Sequence, residues 1–249
     1  MRGPLAALRD GLLDLVFAPV CAGCGNVVPT AEGERLVCRA CWSRARAIPP
    51  PRCERCWAPA VPGRSECGEC ESIPPGIRVV RSAYLMGEEV RALVHALKYR
   101  GWSALAAPMA RRMAGLPLPA DVEEEARLVV PVPTSRVRLR ERGYNQAGLL
   151  AEELAAATGR RADAGVLVRE RASGTQTTLH PGERRANVAG AFAVPAGRES
   201  AVAGEHVLLV DDVWTTGATA AACADALLGA GARVVSVVTF ARVVPALER

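Results

Sequence analysis

Aromatic side chains are scarce in this chain: among 249 residues there are 3 Phe, 3 Tyr and 4 Trp, about 4%. Gripping single-stranded nucleic acid uses aromatic platforms set in a basic groove, which narrows the stacking candidates to Trp42, Trp57, Tyr99 and Tyr144. Long apolar runs are missing too. No uninterrupted stretch approaches the roughly 20 residues a transmembrane helix needs, so no membrane span is expected. The segment Met1–Pro19 carries Leu5, Leu8, Leu12, Leu15 and Val16, but Arg9, Asp10 and Asp14 break any signal-peptide core. Its spacing predicts an amphipathic helix with one buried stripe, and its polar face is short of basic residues for a membrane-surface role. A cytoplasmic location is expected. Strong charge bias is absent as well. A net charge of +5 suits an anionic ligand without demanding nucleic acid, and an apolar fraction of 50% excludes a disordered chain.

Cysteine is absent from most of the chain and concentrated in one part. Beyond residue 70 only Cys223 occurs, read as a small buried residue of a helix. Before it stand four Cys-x-x-Cys pairs: Cys21/Cys24, Cys38/Cys41, Cys53/Cys56 and Cys67/Cys70. Each pair turns two thiolates toward one tetrahedral ion, and a second pair completes the shell. A reducing compartment disfavours a disulfide framework. The Pro, Gly and Arg around the pairs do not make the βαβ context of a thioredoxin-like motif. Eight thiolates fit two Zn²⁺ ions, and a closed Cys₄ shell leaves no position for a substrate, so both are structural. Two successive ribbons are expected, Cys21, Cys24, Cys38 and Cys41 on one ion and Cys53, Cys56, Cys67 and Cys70 on the other; spacing alone leaves a cross-braced pairing of alternate motifs open. The segment is too poor in large apolar residues to fold without metal.

Pro74-Pro75-Gly76 marks the boundary between an N-terminal module, residues 1–75, and a second domain, residues 76–249. The second domain alternates strand-like and helix-like segments, which predicts an α/β fold: a parallel sheet flanked by helices. Strands are expected over Ile77–Met86, Arg127–Val132, Val166–Arg169, Ala191–Val194, His206–Val210 and Arg233–Thr239. Helices are expected over Glu88–Tyr99, Ser103–Met113, Tyr144–Ala157 and Ala218–Leu228.

The most informative stretch is Val207-Leu208-Leu209-Val210-Asp211-Asp212-Val213-Trp214-Thr215-Thr216-Gly217-Ala218-Thr219. Four apolar residues make a buried parallel strand. Asp211 and Asp212 follow, and then a Thr/Gly turn opens into an Ala-rich helix. Such a turn offers free amides and hydroxyls to an anion. Two carboxylates would repel a phosphate but can accept both hydroxyl protons of a sugar diol. Together they suit a ribose carrying a 5′-phosphate. A second anion site is expected at Pro133-Thr134-Ser135, a stiff turn after a buried strand, followed by a loop with Arg136, Arg138, Arg140 and Arg142. The polar stretch Arg169–Ala189, with Gln176, Arg184 and Asn187, is long enough to suggest a functional loop.

These segments resemble the type I phosphoribosyltransferases. Together with the Cys pairs, His95-Ala96-Leu97-Lys98-Tyr99-Arg100-Gly101 and Arg140-Glu141-Arg142-Gly143-Tyr144-Asn145-Gln146-Ala147, they resemble the ComF family, whose members join a cysteine-rich zinc module to a phosphoribosyltransferase domain. The resemblance implies a type I phosphoribosyltransferase fold binding phosphoribosyl pyrophosphate (PRPP) with Mg²⁺. Asp211 and Asp212 would hold the ribose, Thr215, Thr216, Gly217, Ala218 and Thr219 the 5′-phosphate, and Pro133, Thr134, Ser135 and Arg142 the pyrophosphate. Arg184, on the long loop, would serve the leaving group alongside the two carboxylates. The family also implies a role in DNA uptake during natural transformation or in the use of external DNA, with other DNA-uptake proteins as partners. Two activities remain in view: pentosyl transfer from PRPP, and a non-catalytic adaptor that senses PRPP or binds single-stranded DNA.

Overall fold

The computed structural model describes residues 18–29, 34–60, 67–170 and 190–244. The expected N-terminal helix and most of the Arg169–Ala189 loop, including Gln176, Arg184 and Asn187, lie outside the described residues. In chain order the elements are α1 (Arg39–Arg44), β1 (Ile77–Leu85), α2 (Glu88–Tyr99), α3 (Ala106–Ala114), α4 (Ala120–Glu125), β2 (Leu128–Pro131), α5 (Arg136–Arg142) and α6 (Gln146–Thr158). They continue with β3 (Arg161–Ala162), β4 (Val168–Arg169), β5 (Phe192–Ala193), β6 (His206–Trp214), α7 (Ala218–Gly229) and β7 (Val234–Arg242).

The main sheet runs β1-β7-β6-β2-β3, every neighbouring pair parallel, and β4 and β5 form a small antiparallel ribbon. From β2 the chain passes through α6 outward to β3; from β6 it passes through α7 in the opposite direction to β7. The carboxyl ends of β2 and β6 therefore flank a topological switch point, where open α/β sheets bind ligands. The site's place follows from connectivity alone.

Each sheet face has its own core. Leu208 and Val210 of β6 pack with Leu93, Leu97, Met109 and Leu150 on one side; Val207 and Leu209 pack with Cys223, Leu227 and Val166 on the other. The period-2 alternation of β6 feeds both. The helices are anchored by caps. Asn145 accepts from the Ala147 amide at the start of α6, and Gly159, at φ +67°, ends it.

The cysteine module clasps the edge strand β1 rather than hanging from it. Leu85 N–H donates to the Arg46 carbonyl and Val80 N–H to the Arg55 carbonyl, both at 2.8 Å. These bonds occupy an edge that would otherwise invite pairing with other chains. Cys21, Cys38 and Cys41 belong to the first core, and Cys56 belongs to the second.

Two expectations need correction. Arg136–Arg142, expected as a basic loop, is helix α5, capped by the Ser135 hydroxyl accepting from Arg138 N–H and closed by Gly143 at φ +81°. None of its residues is buried, and Val137 and Leu139 are exposed, so it has no core face to impose a helical apolar period. Strand β6 runs on to Trp214, so Asp211 and Asp212 lie within it and not at its end. Partner β7 supplies the continuing ladder, Asp211 beside Thr239 and Trp214 beside Arg242, whereas β2 stops at Pro131. Helices α1 and α4 and strand β3 fall outside the expected elements. Each is short, and α4 is acidic with a single buried residue, Val122.

Candidate phosphoribosyl site and two cysteine tetrads

A cavity of about 450 Å³ opens at the switch point. Asp211, Asp212, Thr215 and Thr219 line it from β6 and the turn beyond, and Pro133 and Thr134 from the turn after β2. A smaller annex of about 30 Å³ adds Gly217 and Thr239. The two turns that the sequence singled out thus share one cavity. Ser135, next in the turn, caps α5 and is not among the lining residues. Thr216 is exposed, with its hydroxyl accepting from Ala218 N–H at 3.4 Å.

The two carboxylates are not equivalent. Asp212 is 3% exposed, and its Oδ2 lies 2.5 Å from Lys98 Nζ of α2. That oxygen makes no angularly acceptable hydrogen bond, so the ammonium serves it as a counter-charge. Asp211 is partly exposed toward the cavity, and its Oδ1 accepts from Asp212 N–H at 2.8 Å. Enclosure by the cavity walls, and then the negative charge of Asp212, push the Asp211 carboxyl well above the usual carboxylate range. Such a group gains when a hydroxyl donor or a cation reaches it.

The phosphate-type turn is built around Gly217. Its φ of +76° favours glycine, and a Cβ there would come within 2.4 Å of Trp214 Cζ2. Beyond it, α7 begins with amides lacking helical partners, an arrangement suited to an anion.

The wall facing the two turns is a helix stripe. Arg91, Val94, His95, Lys98 and Tyr99 of α2 line the cavity at i, i+3, i+4, i+7 and i+8. The sequence contains this periodicity, but only the fold shows that the stripe meets the carboxylates. Arg138, Gln146 and Arg169 complete the polar lining. Arg142 is not part of it. Its Nη1 donates to Gln146 Oε1 at 2.7 Å, and its guanidinium lies 4.7 Å from the Tyr99 ring centroid, beside a second cavity of about 310 Å³ bounded also by Glu141 and Tyr144.

Of the four aromatic candidates only Tyr99 is strongly exposed, at 61%. Trp42 packs against Tyr84 and Phe240. Trp57 lies between Arg52 and Arg81, and the Tyr144 hydroxyl donates to the Leu97 carbonyl at 2.6 Å.

The cysteines form two tetrads of successive pairs, Cys21/Cys24/Cys38/Cys41 and Cys53/Cys56/Cys67/Cys70, each with all sulfurs within 4.8 Å of one another. The sequential arrangement is the observed one. Zn–S bonds of about 2.3 Å in a tetrahedron place sulfurs about 3.8 Å apart. The observed Sγ–Sγ distances of 3.6 Å (Cys21–Cys41), 3.8 Å (Cys24–Cys38), 3.4 Å (Cys53–Cys70) and 3.5 Å (Cys56–Cys67) fit that ion. Burial works against a thiolate at Cys21, but donors from Cys24, Cys38 and Gly23 outweigh it and bring the thiol down to about 7.

Two family models match this chain. Residues 12–71 match the Double zinc ribbon domain and residues 139–246 the Phosphoribosyl transferase domain. The DNA utilization protein YhgH of Escherichia coli O6:H1 is 33% identical over 220 residues, 84% of this chain and 92% of that protein. Competence protein F of Haemophilus influenzae is 27% identical over 205 residues, 80% of this chain and 86% of that one. Among solved structures, the glutamine PRPP amidotransferase from B. subtilis aligns with a TM-score of 0.35 at 23% identity, over 59% of this chain and only 26% of that longer one. The two tetrads are the structural zinc sites of a double zinc ribbon.

Proposed function

The chain belongs to the ComF family, and from that premise we propose that it binds Mg-PRPP in the cavity between β2 and β6 and transfers the phosphoribosyl group during the uptake or use of external DNA. The observation that carries this reading is the meeting of four features in one cavity and its annex: the Asp211/Asp212 pair, the Thr215–Thr219 turn with Gly217, Pro133 and Thr134 of the second turn, and the cationic stripe of α2. A ribose 5-phosphate bearing a diphosphate has a diol and two anionic ends. The cavity offers acceptors at its middle and donors on either side.

In this assignment Asp211 accepts from the ribose hydroxyls, and Asp212, neutralised by Lys98, keeps the strand and α2 in register. The Thr215–Thr219 turn takes the 5′-phosphate. Thr134 and the Ser135 region take the diphosphate, with Arg138 close by. Mg²⁺, brought on the diphosphate oxygens, would neutralise charge accumulating on the leaving group. Arg184, outside the described residues, is assigned to the same leaving group by resemblance alone. Arg142, which lies beside Tyr99, is reassigned from the pyrophosphate to the neighbouring cavity.

The DNA-related role rests on kinship with proteins named for DNA utilization and competence. A non-catalytic adaptor is the second reading, favoured by one observation: the exposed Tyr99 ring, flanked by His95 and Arg142, is the kind of platform a single-stranded base would use. Pyrophosphate release separates the two. Purified protein given Mg-PRPP with nucleobases, ammonia or single-stranded DNA should liberate pyrophosphate with at least one of them. Tight PRPP binding with no release from any would favour the adaptor.

A further inference from the structure

One buried arginine joins the second zinc ribbon to the phosphate-type turn. Arg242, at the end of β7, is fully buried, 0% exposed. Its Nη1 donates to the Cys56 carbonyl at 2.5 Å, and its Nη2 lies 3.5 Å from Glu69 Oε2. Its guanidinium lies 5.7 Å from the centroid of the Trp214 ring, within cation–π range. Nε has no hydrogen-bond partner among the described residues. Burying a guanidinium is costly unless its protons are used. An apolar residue would fill this position at less cost, so the arginine stands out for what it connects.

On one side it connects to a metal ligand. Cys56 belongs to the second tetrad, and the backbone of a ribbon loop is ordered by its ion. The place of the Cys56 carbonyl therefore depends on zinc. On the other side it connects to Trp214, its cross-strand neighbour, 4% exposed, whose indole abuts Gly217 closely enough that a Cβ there would clash. Cys56, Trp214 and Ala220 of α7 share one core, whereas the first tetrad packs into the core on the other face of the sheet.

We propose that Arg242 is a positioning residue that transmits the state of the second zinc site, through Trp214, to the turn at Gly217, so that affinity for a 5′-phosphate follows zinc occupancy at Cys53, Cys56, Cys67 and Cys70. The proposal rests on the reading of that turn as phosphate-binding. Coupling between sites travels through contiguous packed groups of this kind, and the expected effect lies within ordinary coupling energies.

The test uses the full chain labelled with 5-fluorotryptophan, in which the Trp214 resonance is identified by Trp214→Phe. Cys67→Ser and Cys24→Ser should each lower the zinc content by one ion. Cys67→Ser and Arg242→Lys should shift the Trp214 resonance and weaken Mg-PRPP binding by about tenfold, whereas Cys24→Ser should leave the resonance in place. Arg242→Lys should keep both zinc ions. An unmoved resonance in Cys67→Ser or in Arg242→Lys, an equal shift in Cys24→Ser, or a shift with unchanged affinity would overturn the proposal. Should a variant not fold, chelator titration of the unaltered protein decides: the Trp214 resonance must move with release of the second ion and not the first. Failure of the unaltered protein to bind Mg-PRPP would reject the phosphate reading instead, and the resonance would still report whether the coupling exists.

Discussion

Lys98 and Asp212 form an ion pair at 2.5 Å across the inner wall of the cavity, the lysine side chain 22% exposed and the aspartate 4%. It ties helix α2, which carries the cationic stripe, to strand β6, which carries the carboxylates. The pair therefore sets the distance between the two halves of the site.

Removing one partner leaves a buried charge without compensation. Lys98→Met should destabilise the fold by about 3 kcal/mol, the low end for buried pairs because the lysine keeps some solvent. Adding Asp212→Asn should restore part of the loss. Urea unfolding of the two single variants and the double variant measures this, and additive losses would mean that the pair is not coupled.

The zinc ions should stabilise more than their own loops. Elemental analysis should find two per chain. Chelation should also expose β1, because Val80 N–H and Leu85 N–H bond to carbonyls of the cysteine module. Hydrogen exchange at those two amides should accelerate as zinc leaves, and unchanged protection there would show that the module and the sheet are energetically separate.

Much of this was legible in the sequence because it is local. Four Cys-x-x-Cys pairs give eight ligands for two ions, though only the structure groups successive pairs, and the Val207–Thr219 run defines strand, carboxylates and turn. What escaped is non-local or lacks a core face. Helix α5 buries nothing, so its apolar residues follow no period. The extension of β6 past its apolar run depends on pairing with β7, whose Thr239 and Arg242 stand beside Asp211 and Trp214. Lys98 and Arg242 look like surface cations in sequence, and only the packing of α2 and of the second ribbon against β6 and β7 gives them their buried partners, Asp212 and the Cys56 carbonyl.

The Gly217 turn has no room for a side chain. Gly217→Ala would force a left-handed conformation costing about 1–2 kcal/mol, and its methyl would meet Trp214 Cζ2. Thermal unfolding should show the lower stability, and phosphate-competed PRPP binding should weaken. Unchanged binding in a folded variant would move the 5′-phosphate away from this turn.

Protonation of Asp211 should govern binding on the acid side. Its carboxyl titrates above the ordinary value because of enclosure and the charge of Asp212. Only the ionised form accepts both hydroxyl protons, so Mg-PRPP affinity should fall as pH drops, beginning above the usual carboxylate value of about 3.9. Stability of the ligand-free protein carries the opposite sign. The folded state holds this proton more tightly than the unfolded state, so the contribution of Asp211 is fully present at low pH and is lost as pH rises through the folded value. Affinity and melting profiles of Asp211→Asn should lack both dependences.

Isothermal titration of the zinc-loaded protein with Mg-PRPP tests the central claim most directly. One site per chain is expected, displaced by pyrophosphate. Asp211→Asn should weaken it by about 1.5–3 kcal/mol, the range for a charge-assisted hydrogen bond, or about ten- to a hundredfold. No binding by the unaltered protein, or equal affinity in a folded Asp211→Asn variant, would contradict the account.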